Sequence, residues 1–224
     1  MRPDRQPLDA LQLRSLLTAA DDVEARGGNV RWAIAVWLAA LLGMRRGEVM
    51  GVTWQDVDLD RAELHIRRQR TRNAPTLFSP PKTDESRRTI PLGPQICAQL
   101  REHWAMQQAE RRHRGTARHE HGLVVCHEDG TPPSLDTIND QLSSLASSLR
   151  MPHIHPHLLR HAVASLLDEL GYSETIIGAI LGHTGGGSTT RRYTHARSEA
   201  MRRAIEAVEQ AIFGSAEQAA KNTV

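Results

Sequence analysis

The basic residues of this 224-residue chain are almost all arginine: of 28, only Lys82 and Lys221 are lysine. An arginine guanidinium stays charged and can hold two phosphate oxygens at once, whereas a lysine ammonium can give up a proton at accessible pH. A GC-rich genome also favours arginine codons, so the bias alone assigns no function. It does direct attention to Lys82, the only lysine away from the chain end, as a position where arginine would not serve.

Four short segments contain further residues whose side chains could take part in a reaction. Residues 43–48 read Gly-Met-Arg-Arg-Gly-Glu, 81–92 begin Pro-Lys-Thr, 157–161 read His-Leu-Leu-Arg-His, and 181–195 run from Leu-Gly-His to Tyr-Thr-His. In this order and at these separations they resemble the catalytic signature of the tyrosine recombinases, the phage-integrase family. Each segment is weak alone, but the four together are specific. The resemblance covers about residues 8–213.

The resemblance implies a set of residues that bind a phosphodiester. Its nonbridging oxygens carry negative charge, which must be neutralised in the transition state. Arg45 and Arg160 match the family's two arginines that hold these oxygens, and His183 matches a third hydrogen-bond donor. Glu48 matches an acidic position that braces the arginine and the histidine. His157 and Arg160 are three residues apart, so on a helix they share one face.

Tyr193 matches the family's nucleophile. A phenol has an ordinary pKa of about 10, and the resemblance gives His157 the role of accepting its proton. Lys82 matches the acid that protonates the departing 5′ oxygen, which arginine could not do. The implied product is a 3′-phosphotyrosine with a free 5′-hydroxyl, and the reverse reaction on a different strand gives recombination. The other tyrosine, Tyr172, follows a glycine at a helix end and is expected to be a packing residue.

This chemistry needs no metal and no other cofactor, since arginines neutralise the phosphate. The four histidines between residues 153 and 161 are irregularly spaced and interrupted by Pro156. No carboxylate or cysteine lies nearby to complete a zinc site, so we expect no metal there. Arg46, Arg191 and Arg192 are expected to contact the DNA backbone.

Composition excludes several other classes. Hydrophobic residues make up 39% and charged residues 24%, with a net charge of +2, as in ordinary globular proteins. No apolar run reaches the roughly 18 residues of a membrane span, and there is no basic-then-apolar leader. The two cysteines, Cys97 and Cys126, match neither a metal site nor a disulfide framework. The expected setting is a reducing prokaryotic cytoplasm, at the nucleoid.

The pattern of elements predicts an α+β fold, mainly helical, with a small three-stranded antiparallel sheet, as in the catalytic domain of the family. Asp9 is predicted to cap the first helix, and an apolar, buried second helix ends at Gly43. Strands are predicted at 57–59, 63–69, 87–92 and, separately, 123–126; the remaining helices at 47–52, 94–113, 134–149, 157–171, 173–181, around Tyr193 and 198–213.

We expect residues 1–213 to form the catalytic domain and 214–224 a disordered tail, without the N-terminal core-binding domain usual in the family. Residues 184–187 are one residue longer than the family pattern and contain three glycines, which gives Tyr193 a loose tether. The apolar face of the last helix is expected to dock on a neighbouring protomer. The chain is expected to be a monomer when free and a tetramer in the DNA synapse.

The implied function is site-specific recombination of double-stranded DNA, for integration or excision of a mobile element. A resolvase of replicon dimers and a type IB topoisomerase, which relaxes supercoils without a partner site, are alternatives with the same chemistry. Two further alternatives do not use this chemistry: a DNA-binding regulator with an inactive site, and a histidine-rich metalloenzyme.

Overall fold

The computed structural model describes residues 6–25, 27, 32–72, 76–81, 86–182 and 194–221, with the backbone alone at 194, 195 and 215–221. Within these residues it contains eight α-helices and three strands, which confirms the predicted mainly helical α+β fold. The helices are α1 (Ala10–Ala25), α2 (Ala33–Leu42), α3 (Arg46–Val49), α4 (Pro94–Arg114), α5 (Thr137–Ser148), α6 (Pro156–Glu169), α7 (Glu174–Leu181) and α8 (Thr194–Lys221); the strands are β1 (Val57–Asp58), β2 (Glu63–Ile66) and β3 (Arg88–Pro91).

Helix α2 forms the centre of the core. All ten of its residues are buried, and it packs against α1 and α6, which explains a segment without a polar face. It ends at Gly43 in the left-handed conformation, as predicted. Asp9 caps α1 by accepting the backbone N–H of Gln12 at 2.8 Å. Among the described helices, none combines the length and the apolar content needed to cross a membrane.

The sheet has the strand order β1-β2-β3, with both pairs antiparallel. Leu64 in the middle strand pairs with Val57 on one side and with Ile90 on the other. Leu64 and Ile90 are fully buried, and β3 contacts α7 and α8. The sheet therefore covers one side of the helical core and brings β3 next to the end of α7.

The predicted strand at 123–126 is wrong, although the prediction of burial is correct. Leu123 makes one isolated bridge to Thr53, and the Val124 N–H donates to the carbonyl of Val52 at 3.0 Å. All four residues of the segment are buried. An apolar run predicts that a segment is buried, but it does not predict that the segment pairs with a neighbouring strand along its whole length.

Helix α8 is longer than predicted, and its apolar face is already covered by the same chain. Met201, Ile205, Val208 and Ile212 are buried, and α8 contacts α1, α2, α6, α7 and β3. The premise that this face needs a neighbouring protomer was therefore wrong. The helix continues beyond residue 213 to Lys221, while the disorder expected for residues 214–224 stays a prediction.

A buried carboxylate holds α8 in this position. Glu209 accepts the backbone N–H groups of Gln95 and Ile96 at the start of α4, both at 3.0 Å. A side chain at Gly93 would collide with it, because a Cβ there would lie 2.3 Å from the Glu209 carboxyl carbon. Glu209 thus supplies the acceptors that the first turn of α4 lacks.

Candidate active site

Arg45 lies in the turn between α2 and α3, where local features fix its backbone. Gly43 has φ +59°, and a Cβ there would come within 2.4 Å of Leu181 Cδ2. Arg45 is then the N-cap of α3: its backbone N–H donates to Oε2 of Glu48 and its Nη1 to Oε1, both at 2.9 Å. The side chain is 39% exposed. This guanidinium is therefore anchored and still accessible.

Glu48 is buried below Arg45 and has two arginine partners. Its oxygens also accept hydrogen bonds from Nη1 and Nη2 of Arg88, both at 3.0 Å. Burial raises the pKa of Glu48, but the hydrogen bonds and charge of Arg88, with the hydrogen bonds from Arg45, outweigh burial and leave the pKa below its ordinary value. Glu48 is therefore a carboxylate at neutral pH, in direct contact with Arg45.

Arg160 projects from α6 into the space between two helix ends. Its Nη1 donates to the carbonyl of Gly43 at 2.8 Å, and its Nη2 to the carbonyl of Leu181 at 2.6 Å. These carbonyls lie at the C-terminal ends of α2 and α7, where the helix dipole attracts a cation. Burial, and then the charge of Arg45, lowers the pKa of Arg160 to about 10, so it stays charged at neutral pH.

His157 lies one turn before Arg160 on α6, with an exposed ring. The helix begins at Pro156, and the side chain of His155 caps it by accepting the N–H of Leu158 at 3.2 Å. Nε2 of His157 is 3.0 Å from Nε2 of His161, so one ring donates and the other accepts. Burial, followed by the charges of His161, Arg160 and Arg45, lowers the pKa of His157. Its neutral, proton-accepting form therefore persists to lower pH than usual.

These side chains meet at one open cleft of about 410 Å³. Of the predicted site residues, four line it: Arg45, Arg46, His157 and Arg160. The other lining residues are Asn139, His153, His155 and Pro156. Two fixed guanidinium groups beside an imidazole of lowered pKa can bind an oxyanion such as a phosphodiester and accept a proton next to it.

Arg46 faces a different partner from Arg45, although the two are adjacent in sequence. Its Nη1 donates to Oδ1 of Asp136 at 3.1 Å, and Arg72 donates to Oδ2 of the same carboxylate. The hydrogen bond to Arg72 is the first cause that lowers the pKa of Asp136, although burial opposes it. Asp136 therefore holds two arginines together at the edge of the cleft.

Arg88 is a site residue to which the sequence analysis assigned no role. It lies in the segment 81–92, and its side chain is only 6% exposed. A signal was available, because Arg88 is two residues from the buried Ile90 and so lies on the same face of β3. An arginine in phase with a core residue needs a buried partner, and that partner is Glu48.

Five predicted site residues lie outside the described part of the chain: Lys82, His183, Arg191, Arg192 and Tyr193. Their roles stay predictions. Among the described residues, no group of three or more histidine, cysteine or carboxylate side chains is arranged to hold a metal ion.

Comparison with known sequences gives one family. The model of the phage integrase family matches residues 6–200. The chain is 28% identical over 182 residues to a XerC-like tyrosine recombinase of Caldanaerobacter subterraneus subsp. tengcongensis, which covers 75% of this chain and 46% of the relative. It is 30% identical over 205 residues to the integrase of Staphylococcus phage L54a. This alignment covers 88% of this chain and 56% of that integrase. The chain thus spans about half the length of these relatives.

Comparison with solved structures gives the same fold. The Tn1549 transposon integrase, solved in complex with transposon right end DNA, superposes with a TM-score of 0.63 at 19% identity, over 90% of this chain and 68% of that one. The XerA recombinase superposes with a TM-score of 0.61 at 18% identity. This superposition covers 90% of this chain and 60% of the XerA chain. At these identities the likeness establishes the fold alone.

Proposed function

The chain belongs to the phage integrase family of tyrosine recombinases, and on this premise we propose that it is the catalytic part of a site-specific DNA recombinase. The observation that carries the proposal is the shared cleft of Arg45, His157 and Arg160. Each guanidinium group donates to a backbone carbonyl that lies far away in sequence, Arg45 to Gly182 and Arg160 to Gly43. The cleft therefore has a preformed place for a phosphate, which reduces reorganisation when the charge develops.

In the proposed reaction Tyr193 attacks the phosphorus of one DNA strand. A bond forms between the phenol oxygen and phosphorus, and the bond between phosphorus and the 5′ oxygen breaks. His157 takes the phenol proton, and Lys82 gives a proton to the departing 5′ oxygen. Attack by the 5′-hydroxyl of another strand reverses these steps and releases the tyrosine.

Arg45, Arg160 and His183 stabilise the phosphate in this scheme. The two arginines have the fixed, forked geometry that suits paired phosphate oxygens, and His183 supplies a third donor. Glu48 keeps Arg45 in place through two hydrogen bonds. Arginine side chains replace the electrostatic role that a metal ion would otherwise have.

The proposed substrate is double-stranded DNA of a mobile element. The relative from Staphylococcus phage L54a supports this class, and the Tn1549 integrase, which shares the fold, is bound to DNA in its structure. Arg46, Arg191 and Arg192 are the proposed backbone contacts. We place the protein at the nucleoid of a prokaryotic cytoplasm, as a monomer when free and a tetramer in the synapse.

A trapping experiment tests the proposal. The probe is a pool of nicked duplexes. The nick lets the short fragment with the 5′-hydroxyl diffuse away, so the cleaved strand cannot be resealed. The sequence around the nick is randomised so that the pool includes the preferred site. The parent chain should form a covalent adduct stable to denaturant, and Tyr193→Phe should form none. Tyr172→Phe, the same substitution at the other tyrosine, should form as much adduct as the parent.

An adduct that persists in Tyr193→Phe would refute the assignment of the nucleophile. Sequencing of the DNA captured by the parent chain defines the preferred site. A plasmid with two such sites then serves as the substrate for a recombination assay. Joining of the two sites is the expected result. Relaxation of supercoils without joining would instead identify a type IB topoisomerase.

A further inference from the structure

Arg88 is held in a fixed plane below the cleft. Its Nε donates to the carbonyl of Ile180 at 2.7 Å, and its Nη1 donates to the carbonyl of Ser86 at 3.1 Å. The first bond connects β3 to the last turn of α7. The buried side chain therefore has a single arrangement rather than a choice of rotamers.

The guanidinium of Arg88 makes a two-point pair with Glu48. Nη1 contacts Oε1 and Nη2 contacts Oε2, both at 3.0 Å. The same two oxygens accept Nη1 and the backbone N–H of Arg45 at 2.9 Å. Each oxygen of Glu48 thus has one donor from each arginine, so the carboxylate connects Arg88 to Arg45.

Arg88 also lies against the backbone that follows α7. A Cβ at Gly182 would be 2.8 Å from Nη1 of Arg88. The carbonyl of Gly182 in turn accepts Nη2 of Arg45 at 2.8 Å. Arg88 therefore lies against both residues that hold the side chain of Arg45: it bonds the Glu48 carboxylate and packs beside Gly182.

The charges around Glu48 give this arrangement a further consequence. A buried carboxylate paired with Arg45 alone would offset the positive charge that a phosphate needs. Arg88 supplies a second positive charge to the same carboxylate. With Arg88 present, one positive charge offsets the Glu48 carboxylate, and the charges of Arg45 and Arg160 remain available for a phosphate.

We propose that Arg88 is a positioning residue for DNA cleavage: it fixes Arg45 through Glu48 and Gly182, and it balances the Glu48 charge so that Arg45 stays free to bind the phosphate. This inference rests on the proposed function. It predicts a loss in the rate of cleavage rather than a loss of DNA binding, because Arg88 lies below the cleft and is not among its lining residues.

The test compares Arg88→Gln with Arg118→Gln. Arg118 forms a similarly buried pair with Glu110, with exposed fractions of 7% and 8%, outside the cleft. The measurements are the rate of adduct formation on the nicked duplex pool at saturating protein, DNA affinity by fluorescence anisotropy, and the folded fraction by thermal denaturation. Arg88→Gln should slow adduct formation about 10- to 100-fold, by analogy with the loss of a hydrogen-bond partner that orients a metal ligand. Its DNA affinity should stay near the parental value, and Arg118→Gln should react at the parental rate.

Two further variants separate positioning from simple structural support. Arg88→Lys keeps the charge but not the planar two-point pair, so its rate should lie between the parent and Arg88→Gln; it also serves if Arg88→Gln does not fold. Glu48→Gln combined with Arg88→Gln removes the unbalanced carboxylate, so the double variant should react faster than Arg88→Gln alone.

A parental rate in folded Arg88→Gln would overturn the inference while leaving the proposed function intact. A double variant slower than Arg88→Gln would overturn the charge-balancing role. Absence of any adduct in the parent would refute the proposed function and this inference with it.

Discussion

Nη2 of Arg45 donates a hydrogen bond of 2.8 Å to the backbone carbonyl of Gly182, a residue 137 positions later in the chain. Gly182 directly precedes His183 and ends α7 in the left-handed conformation. The bond therefore joins the first signature segment to the beginning of the last one. It explains why the partly exposed Arg45 side chain is oriented before any DNA is bound.

Substitution of Arg45 and Arg46 should have different effects, although the residues are adjacent. Arg45 contacts Glu48 and Gly182, whereas Arg46 pairs with Asp136. Arg45→Ala should slow adduct formation by about 10²- to 10³-fold, as when one transition-state donor is lost. Arg46→Ala should weaken DNA binding and leave the rate at saturating protein near the parental value. Adduct kinetics and anisotropy measure the two effects, and a reversed pattern would show that Arg46 is the catalytic arginine.

Gly182→Ala should be more destabilising than Gly171→Ala. Both glycines have positive φ, +71° and +80°, so alanine at either site is strained by roughly 1–2 kcal/mol. A Cβ at Gly182 would also lie 2.8 Å from Arg88 Nη1, whereas a Cβ at Gly171 has nothing within 4 Å. Urea denaturation should show the larger loss of unfolding free energy for Gly182→Ala. Adduct formation should fall in that variant alone; equal effects at the two sites would contradict the Arg88 contact.

The pH dependence of cleavage should change when His161 is replaced, because His161 contributes, after burial, to the lowered pKa of His157. Burial lowers the pKa of His157 first, and the charge of His161 follows, ahead of Arg160 and Arg45. Because only neutral His157 accepts a proton, the rate should fall as the pH drops through this pKa, which lies below the ordinary value for histidine. His161→Gln removes a positive neighbour, which raises the pKa of His157 and moves the acid limb of the profile to higher pH.

The measurement is the rate of adduct formation between about pH 5 and 8, where histidine titrates. His153→Gln is the control, because His153 lines the same cleft but is not among the causes of the His157 shift. An acid limb that stays in place in His161→Gln would exclude this electrostatic effect.

Asp136→Asn should increase nonspecific DNA binding. The Asp136 carboxylate pairs with Arg46 and Arg72, and its loss frees two arginines at the edge of the cleft for phosphates. Affinity for random duplex should rise, and the salt dependence should steepen by roughly 0.9 in the log–log slope per added phosphate contact. Glu120→Gln removes the same charge from the exposed Arg111 pair outside the cleft lining and should change neither quantity. An unchanged slope in Asp136→Asn would mean that these arginines do not reach the DNA.

Local features of the fold could be predicted from the sequence because they depend on neighbouring residues. The cap at Asp9, the buried helix α2 and the helix ends at Gly43 and Gly182 all follow from periodicity, capping and the conformational freedom of glycine. The predicted strand at 123–126 failed because an apolar run specifies burial, while strand pairing depends on which distant segment lies beside it.

The sequence by itself therefore determined the residue types of the site and their order, and it predicted the helix that contains His157 and Arg160. Only the tertiary structure decided what those residues contact. It covered the apolar face of α8 with the chain's own core, placed Arg88 beneath Glu48, and joined Arg160 to a carbonyl 117 positions away. The physical reason is that helix and strand patterns arise from interactions within a few residues, whereas the partners of a buried charge are set by how the completed elements pack.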